Sequence, residues 1–187
     1  GVFLSAPQQG HLAAVLAAAM ASWSSDGPDW RPELLLVTDA EGILGIGDQG
    51  AGGIHICQGK LAVYTLCAGV DPATTLPVML DVGTDRAELL ADPTYPGLRQ
   101  PRLRGEAYDA FVAEFVAAVA ELCPGALVQW EDFGVSNARR VLDAHRHTLA
   151  SFNDDIQGTS GVACAAILAG LRGLGKQLGD GPIEALG

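Results

Sequence analysis

Two pairs of acidic residues occupy equivalent places in the sequence. Glu131-Asp132 directly follows a predicted strand over residues 126–130, and Asp154-Asp155 follows the next predicted strand. Because the carboxyl ends of neighbouring parallel strands meet at one edge of a sheet, we expect these four carboxylates to converge. Four carboxylates in one cleft repel one another unless a cation neutralises them, and an all-oxygen donor set suits Mg²⁺ or Mn²⁺. The spacing therefore raises the hypothesis of a divalent-metal site.

The same acidic pairs have a simpler interpretation. Acidic residues after strands are commonly solvated loop residues, and Asp154 or Asp155 is also placed to cap the helix that follows. Spacing alone leaves the metal site and this alternative open.

Lys60 is one of only two lysines in the chain and stands directly before the apolar run 61–64. A partly buried lysine loses some of its proton affinity and can act as a general base near neutral pH. The alternative is a solvated lysine at the end of a helix.

The segment Gly45-Ile46-Gly47-Asp48-Gln49-Gly50 matches the G-x-G-x-x-G pattern of dinucleotide-binding loops. However, the glycines continue through Gly52-Gly53 before any predicted helix begins. The alternative is a glycine-rich turn in which backbones or a small substrate pass closely.

Other polar and reactive side chains carry weaker signals. The arginines of the segment 99–104 are predicted to form a solvated loop. Four isolated cysteines within apolar runs are predicted to be small core residues of a protein in a reducing cytoplasm. They are Cys57, Cys67, Cys123 and Cys164.

Helices and strands alternate along the chain, which predicts a three-layer α/β/α fold with a mostly parallel sheet. The predicted helices cover residues 11–23, 59–67, 106–122, 137–146 and 159–171, and the strands cover 34–37, 76–82, 126–130 and 149–152. Residues 34–37 and 43–46 also suggest a hairpin. The helix 159–171 is nearly all apolar, so we expect it to be buried. We therefore expect one domain over residues 1–172 and a frayed tail over residues 173–187.

Composition excludes several classes of partner. The chain has 187 residues, of which 49% are hydrophobic, and this is enough for a sizeable core. Its formal charge of -11 supplies no positive field for a nucleic acid or an anionic membrane face. No apolar run reaches the roughly 20 residues of a membrane span. We therefore expect neither a nucleic acid nor a membrane as partner.

Several motifs together resemble the malic enzymes, the metal-dependent oxidative decarboxylases of malate. They extend over nearly the whole sequence. The matching runs are residues 37–39, 43–50, 59–61, 80–84, 131–133 and 152–159. The longest are Ile-Leu-Gly-Ile-Gly-Asp-Gln-Gly and Phe-Asn-Asp-Asp-Ile-Gln-Gly-Thr.

The resemblance implies a role for each candidate residue. Glu131, Asp132 and Asp155 match the family's ligands for Mg²⁺ or Mn²⁺. Lys60 matches its general base and Asp154 its neighbouring catalytic carboxylate. Thr159 is assigned to the nucleotide cofactor, and the glycine-rich turn falls in the substrate domain rather than in a dinucleotide fingerprint.

The sequence departs from the family pattern in identifiable places. The family's catalytic tyrosine precedes the segment matching Gly1, and its NAD(P)-binding domain follows the Thr159 helix, so we expect a domain truncated at both ends. A substrate-binding arginine of the family is here Gly42, and residues 53–57 replace a Gly-Met-Gly-Ile-Pro pattern.

The activity implied by the resemblance is oxidation of malate to pyruvate and CO₂ with NAD or NADP. Malate, pyruvate and oxaloacetate are the implied small-molecule partners, and the complete enzyme is expected to be a homo-oligomer. We expect the isolated chain to be inactive. The alternative is a non-catalytic module that binds metal or pairs with a full-length partner.

Overall fold

A five-stranded, fully parallel sheet forms the centre of the protein. The computed structural model describes residues 1–23, 27 and 29–180. The strands are β1 (Val2–Ser5), β2 (Leu34–Thr38), β3 (Thr75–Asp81), β4 (Leu127–Glu131) and β5 (Ser151–Asn153). Their order in the sheet is β1-β3-β2-β4-β5. The predicted α/β class is confirmed.

Six α-helices connect or follow the strands in the described part of the chain. They are α1 (Leu12–Trp23), α2 (Ile54–Ala68), α3 (Ala87–Ala91), α4 (Gly105–Leu122), α5 (Val135–His145) and α6 (Thr159–Gly173). The short α3 was not predicted, and α2 begins five residues before the predicted start at Gly59. Lys60 therefore lies within a helix and not at its end.

The helices are distributed unevenly over the two faces of the sheet. Leu35 and Val37 of β2 pack with α1, α4 and α5 in the main core, whereas Leu36 between them packs with Cys57 and Leu61 of α2. This alternation follows from the twofold side-chain period of a strand. Three helices therefore cover one face, and α2 is the helix that packs on the other.

The best-predicted helix, α4, supplies much of the main core. Its apolar positions at helical spacing are buried as expected. Phe115 makes an edge-to-face contact with Trp130 of β4, with 6.1 Å between the ring centroids. Trp130 in turn contacts Phe133 at 5.5 Å. This aromatic row fixes the carboxyl end of β4 against the helical layer.

The strand order creates a switch point between β2 and β4. The chain leaves β2 through α2 toward β3 on one side, and leaves β4 through α5 toward β5 on the other. Since parallel crossovers are right-handed, these two helices lie on opposite faces, and a crevice opens between the strand ends. Thr38 and Glu131 are paired across this point.

The predicted hairpin after β2 is wrong. Residues 43–47 form a turn closed by a single bridge between Ile43 and Gly47. Ile43 is buried, but Leu44 is 94% exposed, so the apolar run is not the buried strand that its composition suggested.

The predicted burial of the last helix is also wrong. No residue of α6 is buried, and Val162 is 72% exposed, because the helix leaves the sheet edge and the described residues place no layer over it. Likewise Cys67 and Cys164 are exposed, while Cys57 and Cys123 are core residues as expected. Of the predicted tail, residues 174–180 form turns and 181–187 lie outside the described residues.

Within the part of the chain that the structure describes, no helix combines the length and the apolar character needed to cross a membrane.

Candidate active site

Three carboxylates converge at the carboxyl ends of β4 and β5. Glu131 is the last residue of β4, Asp132 follows it, and Asp155 lies in a π-helical turn, Asp154–Gly158, after β5. One oxygen from each lies within 4.8 Å of the others. Three hard oxygen donors at this separation fit a divalent cation such as Mg²⁺ or Mn²⁺.

Backbone geometry holds the three acids in place. Asp132 adopts a left-handed conformation with a φ of 55°, which is uncommon for a residue other than glycine. Its N–H donates to Asp155 Oδ2 at 2.9 Å, and its carbonyl accepts from Gly42 N at 2.9 Å. The ends of β2, β4 and β5 are thus tied together around the candidate ligands.

Lys60 reaches this cluster from α2. Its Nζ pairs with Glu131 Oε1 and donates to Asp154 Oδ2 at 2.6 Å. Burial alone would lower the pKa of Lys60, but the hydrogen bonds with Asp154 and Glu131 outweigh burial and raise it. The expectation of a lysine with reduced proton affinity is therefore wrong for this arrangement, in which the ammonium ion is the favoured form.

The electrostatics of the acids are unfavourable without a cation. Burial, followed by the charges of Glu131 and Asp155, raises the pKa of Asp132 to about 7. Burial also raises the pKa of Glu131, against the opposing effect of Lys60. Carboxyl groups that resist ionisation in this way would be stabilised as anions by a bound cation.

A groove of about 520 Å³ lies beside the cluster, at the entrance to the crevice. Its lining includes Gly42, Phe133, Arg139, Asp155 and Thr159. Thr159 is exposed at the start of α6, so the structure brings it to the rim of the site, in contrast to the buried Glu131 and Asp132. A small dicarboxylate would fit within this volume.

The glycine-rich turn runs through a 3-10 turn, Gly50–Gly53, directly into α2, earlier than the predicted helix start, and packing fills the space around its last glycines. A side chain at Gly50 would lie 2.0 Å from the Tyr95 hydroxyl, and one at Gly53 would lie 2.1 Å from Ala40 Cβ. Close approach thus explains Gly50 and Gly53, as the alternative interpretation proposed, whereas Gly45 and Gly47 have open space around them and adopt φ values of 83° and 65°.

Two arginines of the segment 99–104 are not simply solvated, which corrects the prediction. Arg102 is buried and makes a bidentate pair with Asp48 of the glycine-rich turn, at 2.8 and 2.6 Å. Its Nη1 also lies 4.0 Å from Asp39 Oδ1. Arg104 bridges Glu41 and Asp85 at the surface. These ion pairs join the loops that follow β2 and β3.

Sequence reasoning also missed Gln129, which donates to Glu131 Oε2 at 2.9 Å. Its signal was a polar residue within an otherwise apolar strand. Tyr64, which donates to Gln129 Oε1 at 2.9 Å, had no such signal.

Gly42 leaves no room for the side chain that the resemblance would place there. A Cβ at this position would lie 2.7 Å from the Phe133 carbonyl oxygen, and its φ is not positive. We expect Gly42→Ala to lower the free energy of unfolding by about 1–3 kcal/mol, since the backbone must shift. Urea denaturation measures the change.

The control for this variant is Gly59→Ala, because a Cβ at Gly59 meets nothing within 4 Å. Gly59 lies inside α2, so alanine should raise stability there by about 0.5–1 kcal/mol. Equal effects of the two substitutions would contradict the steric explanation.

The fold and the site together define a class. A parallel sheet with carboxylates and a lysine at its switch point is typical of a domain that binds a small molecule together with a divalent cation. The family model described as "Malic enzyme, N-terminal domain" matches residues 1–146. The chain belongs to the malic enzyme family.

Curated relatives align with all of this chain. An NAD-dependent malic enzyme of Photorhabdus laumondii is 45% identical over 187 residues, and NAD-dependent malic enzyme 2 of Photobacterium profundum is 43% identical. The chain spans 32% of the length of each of these relatives.

A solved structure has the same fold. The crystal structure of an NAD-dependent malic enzyme from Thermotoga maritima superimposes with a TM-score of 0.55 and 21% identity. The match covers 89% of this chain and 38% of that one.

Proposed function

We propose that this chain is the substrate- and metal-binding part of an NAD-dependent malic enzyme, acting in the oxidative decarboxylation of malate to pyruvate and CO₂. The observation that carries the proposal is the convergence of Glu131, Asp132 and Asp155 within 4.8 Å, with Lys60 paired to the same cluster. The choice of NAD rests on the names of the relatives.

In this proposal Glu131, Asp132 and Asp155 hold Mg²⁺ or Mn²⁺. When bound, the cation would supply a Lewis acid that polarises the keto group formed by oxidation and so assists loss of CO₂. Its charge would also offset the burial and the repulsion that together raise the pKa of Asp132.

Lys60 acts as the general base in its neutral form. A cation bound by Glu131 would weaken the ion pair that favours the ammonium form of Lys60, and the neutral amine would then take the proton of the malate hydroxyl. NAD, when bound, would supply the acceptor for the hydride on the same carbon. Asp154 is placed to receive that proton onward, because its carboxylate already accepts a hydrogen bond from Lys60 Nζ at 2.6 Å. The groove that contains Gly42 and Asp155 would receive the substrate, and Thr159 at its rim would contact the cofactor.

A non-catalytic, metal-binding module is a second candidate, favoured by one observation. Glycine replaces the family's substrate-binding arginine at residue 42, and the Phe133 carbonyl oxygen occupies the space where a side chain would begin. A charge-assisted bond to a substrate carboxylate contributes about 1.5–3 kcal/mol, and this position supplies none of it.

The proposed metal site is tested by titrating the chain with MnCl₂ in a calorimeter. We expect saturable binding to the wild-type protein and at least about tenfold weaker binding to Asp155→Ala, since even an outer-shell partner of a metal ligand contributes that much. The matched control is Asp143→Ala, which removes an exposed carboxylate paired with Arg139 on α5.

Indistinguishable heats for wild type and Asp155→Ala would remove the metal assignment. If Mn²⁺ binds but malate does not bind to the loaded protein, the non-catalytic candidate is favoured.

A further inference from the structure

A continuous series of hydrogen bonds connects α2 to the candidate ligand Glu131. Tyr64 donates to Gln129, Gln129 donates to Glu131 Oε2, and Lys60 pairs with Glu131 Oε1. We call these four residues the Glu131 network. Lys60 and Tyr64 are one helical turn apart on α2, and Gln129 and Glu131 are two residues apart on β4, so each pair shares a face of its element.

We propose that Gln129 and Tyr64 are positioning residues that fix the orientation of the Glu131 carboxylate for cation binding. The inference rests on the proposed function. Neither residue is a proposed ligand; both act through Glu131. By donating to Oε2, the amide of Gln129 fixes the carboxylate in the orientation in which Oε1 pairs with Lys60.

Burial makes this arrangement specific. Gln129 is 0% exposed and Glu131 is 3% exposed. Water therefore cannot readily replace a hydrogen-bond partner that either side chain loses, and the unpaired group destabilises the site. A carboxylate only accepts hydrogen bonds, so Gln129 must present its NH₂ group to Glu131 and its oxygen to α2. The Tyr64 hydroxyl donates to that oxygen at 2.9 Å and so anchors the far side of the amide.

Loss of the Tyr64 hydroxyl removes this anchor. The amide of Gln129 then keeps its hydrogen bond to Glu131 but is no longer held from its other side. The carboxylate would be held less firmly in the position in which one of its oxygens lies near Asp132 and Asp155. Outer-shell partners of metal ligands act in this way by fixing ligand orientation.

The experiment measures free Mn²⁺ by electron paramagnetic resonance while MnCl₂ is added to the chain. We expect Gln129→Met to weaken binding about 10- to 100-fold, as outer-shell substitutions do. Tyr64→Phe should weaken it by roughly 2- to 10-fold, the value of one neutral hydrogen bond. Tyr95→Phe is the matched control, since it removes a tyrosine hydroxyl that accepts from Ala51 outside the network, and it should leave the Kd unchanged.

A double-mutant cycle separates positioning from general destabilisation. Because both residues act through one carboxylate, Tyr64→Phe should add nothing further to the Kd of Gln129→Met, whereas independent effects would add. The unfolding temperature of each metal-free variant confirms that binding is measured on folded protein. If Gln129→Met does not fold, Tyr64→Phe with its Tyr95→Phe control decides the question.

Two results would overturn the inference, and they have different meanings. Wild-type Kd values in folded Gln129→Met and Tyr64→Phe, together with weak binding by Asp155→Ala, would reject the positioning role and keep the metal site. Absence of any Mn²⁺ binding that depends on Asp155 would reject the proposed function and this inference with it.

Discussion

Arg102→Met is expected to lower the free energy of unfolding by about 3–5 kcal/mol, the usual cost of removing one partner from a buried ion pair. The Arg102 side chain is 1% exposed, while those of Asp39 and Asp48 are 0% and 16% exposed. Without the guanidinium, Asp48 loses both bonds of its bidentate pair, and Asp39 loses its nearest cation. Methionine preserves much of the apolar volume, so the loss reports the charge and its hydrogen bonds.

Urea denaturation at neutral pH measures this change. Arg139→Met is the matched control, because its pair with Asp143 is exposed and should contribute at most about 0.5 kcal/mol. Adding Asp39→Asn and Asp48→Asn to Arg102→Met should restore part of the loss by removing the unpaired charges. A similar small effect for Arg102→Met and Arg139→Met would mean that the Arg102 pairs do not hold the loops after β2 and β3.

The metal-free chain is expected to be more stable near pH 5 than near pH 8, by about 2–4 kcal/mol. Two buried acids produce most of this difference. Burial raises the pKa of Asp39 to about 6 despite the opposing charge of Arg102, and burial with two neighbouring carboxylates raises the pKa of Asp132 to about 7.

The direction follows from proton linkage. In the unfolded chain both acids titrate at the usual aspartate pKa of 3.8, so at intermediate pH the folded state binds more protons than the unfolded state. Stability therefore falls as the pH rises through the folded pKa values. Asp48 has the opposite effect on stability. Burial would raise its pKa, but the hydrogen bonds from Arg102 lower the pKa to about 2. The stability that ionised Asp48 contributes is therefore lost only as the pH falls toward that value.

Thermal unfolding of the metal-free chain across this pH range tests the expectation. Asp132→Asn should flatten the profile at its alkaline end, and Asp39→Asn should flatten it nearer to pH 6, each by removing one titrating group. The exposed control Asp143→Asn should leave the slope unchanged. A free energy of unfolding that rises between pH 5 and pH 8 would contradict the raised pKa values of Asp39 and Asp132.

The sequence predicted the architecture well because strong patterns determine it. The 3.6-residue period of α4 and the apolar runs of β2, β3 and β4 correspond directly to buried faces. Once the sheet was predicted to be parallel, convergence of Glu131, Asp132 and Asp155 followed from the placement of acids after adjacent strands. Order and register of the strands had no such local signal.

Other features depend on contacts between distant segments. The pairing of Arg102 with Asp48 joins residues that are 54 positions apart, and nothing local distinguishes Arg102 from a solvated arginine. The pKa of Lys60 depends on Glu131 and Asp154, which burial-based reasoning about a lone lysine omits. The exposure of α6 was mispredicted because apolar composition indicates that a helix is suited to burial, without specifying what covers it.

The uneven helical cover of the sheet also has a consequence for motion. The helix α2 buries Ile54, Cys57 and Leu61, whereas α4 alone buries seven residues against the opposite face. The free energy of local unfolding is lowest where the fewest apolar contacts must be broken. Amide hydrogens of α2 should therefore exchange with solvent before those of α4. The two α2 side chains of the Glu131 network, Lys60 and Tyr64, therefore belong to the more readily opened half of the protein. Glu131 belongs to a strand of the half that opens last.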